Sequence, residues 1–396
     1  MYRLCMDGQS VVVPAATATS AVAVHRSLGR RGIPTIAVSE SDDVPSFSTR
    51  YCEETVSVPS PSEDLSGYRE ALLSLAMRPD VRTIVPLRES DVYVLSKYRD
   101  AFAEHIETPW PSFETLRTVH DRERLFDAAR AAGVPVPETE LFDEVDDWQR
   151  ELVIKPRFAF AAGDYLPDRD DEEILDIGST QFLSPDDDPD LDAISASFDY
   201  TPHVQQYVRG TEYSVGVLYD AGEPVVSAHK RIIRGVKYYC GPSVCHEQVD
   251  IPALEETVRT LLEHLDWHGP ADVDIIQDRE TGEFKLLEIN PRFWATVANE
   301  IHAGFDFPYY YWRLAGNDTD FTAPDRRTGY QSHYLMGELS HLQSVLTTDH
   351  PLCERPALRD ASWELLRSLV SQPRFDLFAV DDPRPFVHDV VDNIVG

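Results

Sequence analysis

The chain is short of lysine, of framework cysteines, of glycine-rich loops and of long apolar runs, and each shortage narrows what it can do. Only five of its 36 basic residues are lysine (Lys97, Lys155, Lys230, Lys237 and Lys285). Against them stand 69 acidic residues, giving a formal charge of −33 that is spread through all 396 residues. Such a surface repels polyanions, which argues against nonspecific nucleic-acid binding and against docking on anionic membranes. It is the surface expected of a protein from a halophile, where carboxylates stay hydrated and their repulsion is screened. The five cysteines (Cys5, Cys52, Cys240, Cys245 and Cys353) are odd in number and lack a framework spacing, so a reduced interior is expected. Cys240 and Cys245-His246 have poor spacing for zinc and no second ligand pair follows. No apolar run reaches membrane-spanning length and the amino terminus has no signal-peptide core, so the expectation is a soluble, cytoplasmic protein.

The order of apolar runs implies an α/β architecture, long enough for two or three domains. Ser10 to Val13 reads as a strand, Ala18 to Arg31 as a helix stopped by Gly32, and Ile33 to Val38 as a second strand. Thr83 to Leu87 gives a third strand before a helical Asp91 to Glu104. Alternating strands and helices predict a doubly wound parallel sheet. Its first turn, Pro14 to Ser20, lacks Gly-x-Gly-x-x-Gly, which makes a dinucleotide site there a weak reading. Asp121 to Ala132 reads as a helix ending at Gly133, and Pro135 and Pro137 then fix an extended connector. Beyond it lie a strand at Glu151 to Pro156 and an acidic edge or loop from Asp164 to Asp192. Val204 to Tyr219 reads as strand, Arg-Gly turn, strand, and Ile251 to Leu265 as an amphipathic helix. After Pro308 the pattern is aromatic and helical, and Tyr309 to Arg313 reads as helix packing rather than a binding platform. No internal repeat is present.

Chemistry concentrates in Ala271 to Ile276 and Lys285 to Phe293, two apolar strands around a polar Asp278 to Glu283 turn. Alternation puts Glu288 and Asn290 on one face, and hairpin pairing brings Asp274 beside them, with Arg292 close by. Two carboxylates and an amide oxygen suit a hard divalent cation holding polyphosphate oxygens. An acidic hairpin face in solvent is the competing reading. Lys155 closes the apolar run Leu152 to Ile154, a compact cation placed to meet a buried anion or simply to emerge into solvent. Gln205 to Ser214 offers strand-end backbone to an adenine edge and Glu212 to ribose hydroxyls, or else forms a plain hairpin. His229-Lys230-Arg231, with Arg234 and Lys237, is the densest basic cluster. It suits either a bound anion or a surface ion-pair network.

Taken in order, these pieces resemble the ATP-grasp superfamily, in the carboxylate–amine ligase and carbamoyl-phosphate-synthase-like branch. The resemblance spans roughly Thr118 to Gly304 and rests on Asp121-Arg122 before the Gly133 to Pro137 connector, Lys155, Gln205 to Glu212, Asp274, and Glu288 to Arg292. It implies an amino-terminal α/β domain over 1–110 and an ATP-grasp fold of two α+β subdomains over 111–310, the smaller near 151–220. A largely helical extension would follow over 311–396. It further implies ATP with Mg2+ or Mn2+. Arg122, Lys155, Gln205, Gln206, Val208 and Glu212 would bind nucleotide. Asp274, Glu288 and Asn290 would ligate metal, with Arg292, Lys230 and Arg231 in catalysis. The implied reaction activates a small-molecule carboxylate as an acyl phosphate and joins it to an amine. A bicarbonate-activating enzyme and a regulatory ATP-binding protein are the alternatives, and a homodimer is left open. The lid candidate, Arg157 to Pro167, carries one glycine where the family usually has a glycine- and serine-rich loop.

Overall fold

The computed structural model describes residues 9–166, 169–170, 173–318, 320, 322 and 324–395. Cys5, Pro167 and a few neighbours in the 164–192 segment lie outside the described residues. The amino-terminal sheet is parallel, in the order Glu54–Ser57, Thr35–Ser39, Ser10–Val13, Val81–Ile84. Val11, Val12 and Val13 are all fully buried, as a strand covered on both faces requires. Alternation sends Val12 into a core with Leu72 of the helix Leu65–Ala76, and Val11 and Val13 into another with Val24 of the helix Thr19–Gly29. Helices therefore cover both faces. The strand Glu54–Ser57 and the helix Leu65–Ala76 were not anticipated, and the expected helix Asp91 to Glu104 is broken at Tyr98 into Glu89–Lys97 and Arg99–Ala103.

Two antiparallel sheets follow. The smaller has the order Thr139–Leu141, His203–Gln206, Leu152–Lys155, Gln181–Leu183, over a core that includes Phe142, Ile154 and Phe198. The larger has six strands in the order Phe284–Asn290, Gly269–Asp278, Gly210–Asp220, Glu223–Lys237, Cys240–Val249, Gln331–His333. The strand Gly210–Asp220, expected with the smaller subdomain, thus lies inside the larger sheet. Residues 207–209 carry the chain from one sheet to the other, so no Arg-Gly hairpin forms there.

The helix Arg122–Ala131 joins these layers. The Asp121 carboxylate caps it at the Glu123 amide, and it stops where Gly133 takes φ +76°, a conformation glycine adopts without steric cost. The connector then hands its Pro135 carbonyl to the amide of Leu286, tying it to the large sheet. The carboxy-terminal segment is mostly helical but not detached. Its three-residue strand Gln331–His333 completes the edge of the large sheet, and Tyr311 in the helix Phe307–Leu314 donates to the carbonyl of Ile84 in the parallel sheet. The 309–313 aromatics pack as expected, with Tyr311 fully buried. No helix among the described residues is long and apolar enough to cross a membrane.

Candidate active site

The two antiparallel sheets face each other across a cleft of about 760 Å3. Arg122, Lys155, Gln205, Gln206, Val208, Glu212, Asp274, Glu288, Asn290 and Arg292 all line it. Lys155 comes from the end of a small-sheet strand. Pairing in the hairpin sets Asp274 opposite Glu288, and Asp272 opposite Asn290, with an irregularity between Asp274 and Ile275. The Asn290 amide nitrogen reaches Asp274 Oδ2 at 3.1 Å, and Arg292 donates to Asn290 Oδ1 at 3.0 Å. One wall thus presents carboxylate and amide oxygens; Lys155 and Arg122 present positive charge from other elements. Gly216, on the neighbouring strand, leaves room for the Trp294 ring, which would come within 2.2 Å of any added Cβ.

The charges are strongly coupled. Arg122 donates to Glu288 Oε2 at 2.8 Å and to the Pro156 carbonyl at 2.6 Å. Burial works against the charge on Glu288, but Arg122 and Lys155 outweigh it and hold its pKa below the ordinary carboxylate value. Asp274 moves the other way, raised by burial and by the nearby charges of Asp272 and Glu288. Burial also raises Glu212 against the pull of Lys155, and burial together with Arg122 lowers Lys155. A wall of oxygens that repel one another is relieved by a cation. The buried Gln205 Nε2 and Arg122 Nε have no hydrogen-bond partner among the described residues. A polyphosphate-bearing ligand with a polar aromatic base, and a hard divalent ion, fit this set of donors and acceptors.

The basic cluster does not act as one patch. Lys230 and Arg231 are consecutive on a strand, so alternation separates them. Lys230 is fully buried behind the cleft, 2.5 Å from Glu300 and 3.6 Å from Asp272, bonded to Thr296 Oγ1 and lying over the Trp294 ring. Burial disfavours its charge, but Asp272 and Glu300 outweigh it. Arg231 is exposed and pairs with Glu247 at 2.5 Å, while Arg234 is bonded to Glu338 through two nitrogens. Neither Lys230 nor Arg231 lines the cleft. The expectation of a shared anion site is corrected here, for these cations already have carboxylate partners.

The lid candidate is also placed differently. Residues 157–166 do not line the cleft. Arg157 pairs with Asp121 and Glu123, Phe158 is buried against Ala161, Leu175 and Tyr200, and Asp164 meets Lys97 at 3.1 Å. Aromatic packing holds this segment where a glycine-rich loop would have exposed its backbone.

Sequence reasoning missed Glu89. It opens the helix Glu89–Lys97 of the amino-terminal unit and reaches Arg292 Nε at 2.7 Å with one oxygen and His120 Nε2 at 3.0 Å with the other. Burial works against its charge, and Arg292 and His120 outweigh it. Phe293 N bonds to the Pro86 carbonyl, which docks the end of the hairpin beside that helix. A glutamate in the first helical turn reads in sequence only as a complement to the helix dipole. Cys353, from the carboxy-terminal segment, also lines the cleft and lies 2.9 Å from the Tyr207 hydroxyl.

Comparison with known proteins agrees with this fold. A family model for the ATP-grasp domain matches residues 119–296. A search of curated proteins finds no match. Among solved structures, pyruvate carboxylase of Rhizobium etli superposes with a TM-score of 0.61 at 17% identity, covering 82% of this chain. The match spans only 30% of that longer enzyme. The biotin carboxylase domain of Hydrogenobacter thermophilus 2-oxoglutarate carboxylase, solved with MgADP, ADP and bicarbonate, gives 0.60 at 16%, over 82% of this chain and 74% of its own. L-amino acid ligase of Bacillus licheniformis gives 0.58 at 14%, over 82% and 79%. At these identities the likeness is one of fold. Residues 119–296 form an ATP-grasp domain.

Proposed function

We propose that the chain is an ATP-dependent ligase that activates a small-molecule carboxylate as an acyl phosphate and joins it to an amine. One observation carries this reading: ten residues from two sheets, a helix and the segments that adjoin the strands converge on a single cleft, oxygens on one wall and cations beside them. In this reading Gln205, Gln206 and Val208 receive the base, Glu212 the ribose, and Lys155 and Arg122 the phosphates. Asp274, Glu288 and Asn290 hold Mg2+, which when bound supplies charge neutralisation and template geometry for phosphoryl transfer.

The need for these groups is electrostatic. An anionic carboxylate must approach a triphosphate of about four negative charges, and preorganised cations lower that barrier by several kcal/mol. In the same reading Arg292, held by Glu89 and Asn290, meets charge developing on the transferred group. Lys230 acts behind it by fixing Asp272 and Trp294 in the cleft wall. A bicarbonate-activating reaction is the second reading, favoured by the fold shared with biotin carboxylase domains.

The test is incubation with Mg-ATP and pooled carboxylates and amines in concentrated KCl, following phosphate release and new product masses. Release that needs both a carboxylate and an amine supports ligation, and release driven by bicarbonate alone supports the second reading. ADP formation that no member of the pool stimulates would count against both.

A further inference from the structure

Ten of the twelve large hydrophobic side chains that stand exposed among the described residues lie between Leu339 and Val391. The helix Leu358–Ser371 is central to them. Its buried residues, Ala361 and Leu365, occupy one face. Trp363, Leu366 and Val370 recur at spacings of three and four, which at 3.6 residues per turn puts them on the opposite face. Trp363 is 67% exposed and Val370 82%. A helix with apolar stripes on two opposite faces is built to be covered on both. A shallow groove of about 410 Å3 lies along the second stripe, lined by Arg359, Asp360, Ser362, Trp363 and Leu366.

We infer that this stripe is the two-fold contact between two copies of the chain. Charge selects the occupant. Residues 354–374 carry Glu354, Asp360 and Glu364 against Arg355, Arg359, Arg367 and Arg374, a slight positive balance in a chain of −33. Two copies meeting at most other places would set carboxylate against carboxylate; here they do not. Asp360 and Arg367 flank the stripe on the same edge, seven residues apart. Antiparallel pairing of two identical helices brings that edge face to face, so Asp360 of each copy meets Arg367 of the other. The indole of each Trp363 then enters the groove of its mate, a large aromatic anchor ringed by charge. The contact uses no residue of the cleft.

Sedimentation velocity of the full chain in concentrated KCl tests this. Twice the chain mass is expected for the unaltered protein, and the single-chain mass for Trp363→Glu with Val370→Glu, with the far-UV spectrum and ADP affinity unchanged. Asp360→Arg alone should raise the dissociation constant about tenfold or more, and adding Arg367→Asp should restore it, a rescue that packing alone would not give. A single-chain mass for the unaltered protein, a dimer that survives both glutamates, or binding of a different protein at the stripe would each overturn the proposal. The measured masses do not bear on whether the cleft binds nucleotide.

Discussion

Arg122 and Glu288 are bonded at 2.8 Å, so the cation proposed for phosphate and the carboxylate proposed for metal neutralise each other across the cleft. Under the proposed function, metal would compete with Arg122 for Glu288, and phosphate with Glu288 for Arg122. Glu288→Gln should therefore lower turnover by about a hundredfold or more, since metal ligation contributes several kcal/mol to such transition states. The same variant should bind metal-free ADP no more weakly than the unaltered chain, because Arg122 is released, while Mg2+ no longer tightens binding. Calorimetry with and without EDTA reads both effects. Turnover within about tenfold of the original would remove Glu288 from the metal site.

Glu89 holds Arg292 from a different structural unit. Glu89→Gln keeps a hydrogen-bond acceptor but loses the charge that fixes the guanidinium. We expect kcat to fall about 10- to 100-fold, as loss of supporting partners commonly does, with ADP affinity changed little. A variant that loses nucleotide binding and turnover equally would show that Glu89 supports the fold and does not position Arg292.

Lys230 and Glu300 form a fully buried pair. Lys230→Met strands the Glu300 carboxylate and should cost about 3–5 kcal/mol in urea unfolding, whereas Lys230→Met with Glu300→Gln should recover much of that loss. Turnover of the double variant decides whether Lys230 does more than hold the wall. Activity restored along with stability assigns it a supporting role.

Acid should unfold the chain in two stages. Burial pushes His25 from 6.5 down to about 3, and burial beside Arg326 does the same for His229. The unfolded chain takes up protons below about pH 6.5 where the folded chain does not, so stability present above 6.5 drains as pH falls toward 3. At pH 5 the His25 share is about 2 kcal/mol. Below pH 4 the depressed carboxyls of Glu89 and Asp376 add a second loss. Urea midpoints between pH 7 and 5 at fixed KCl should fall, with a shallower slope in His25→Gln. An unchanged slope would mean that His25 does not drive the first stage.

The sequence revealed what is local. Alternation and a polar turn were enough to place Asp274 opposite Glu288, and Gly133 with two prolines marked the end of the helix carrying Arg122. What stayed hidden depends on long-range partners. Lys230 finds Glu300 70 residues away, and nothing in His229-Lys230-Arg231 says which of the three turns inward. Gln331–His333 is too short to show a period, and the acidic 164–192 segment concealed the edge strand Gln181–Leu183 behind its charge. The competing reading of the basic cluster as ion pairs was the sounder one for Arg231 and Arg234, because in a chain so rich in carboxylates an arginine seldom lacks a partner.

Arg26 on the first helix is nearly buried, and the carboxylate bonded to it at 2.9 Å is Asp382, 356 residues later. That carboxylate also accepts from Thr49 Oγ1 and the Arg50 amide. During synthesis at about 5–20 residues per second, the parallel sheet waits roughly 20 to 70 seconds for this counter-charge. The parallel sheet leaves the ribosome long before the residue that completes it.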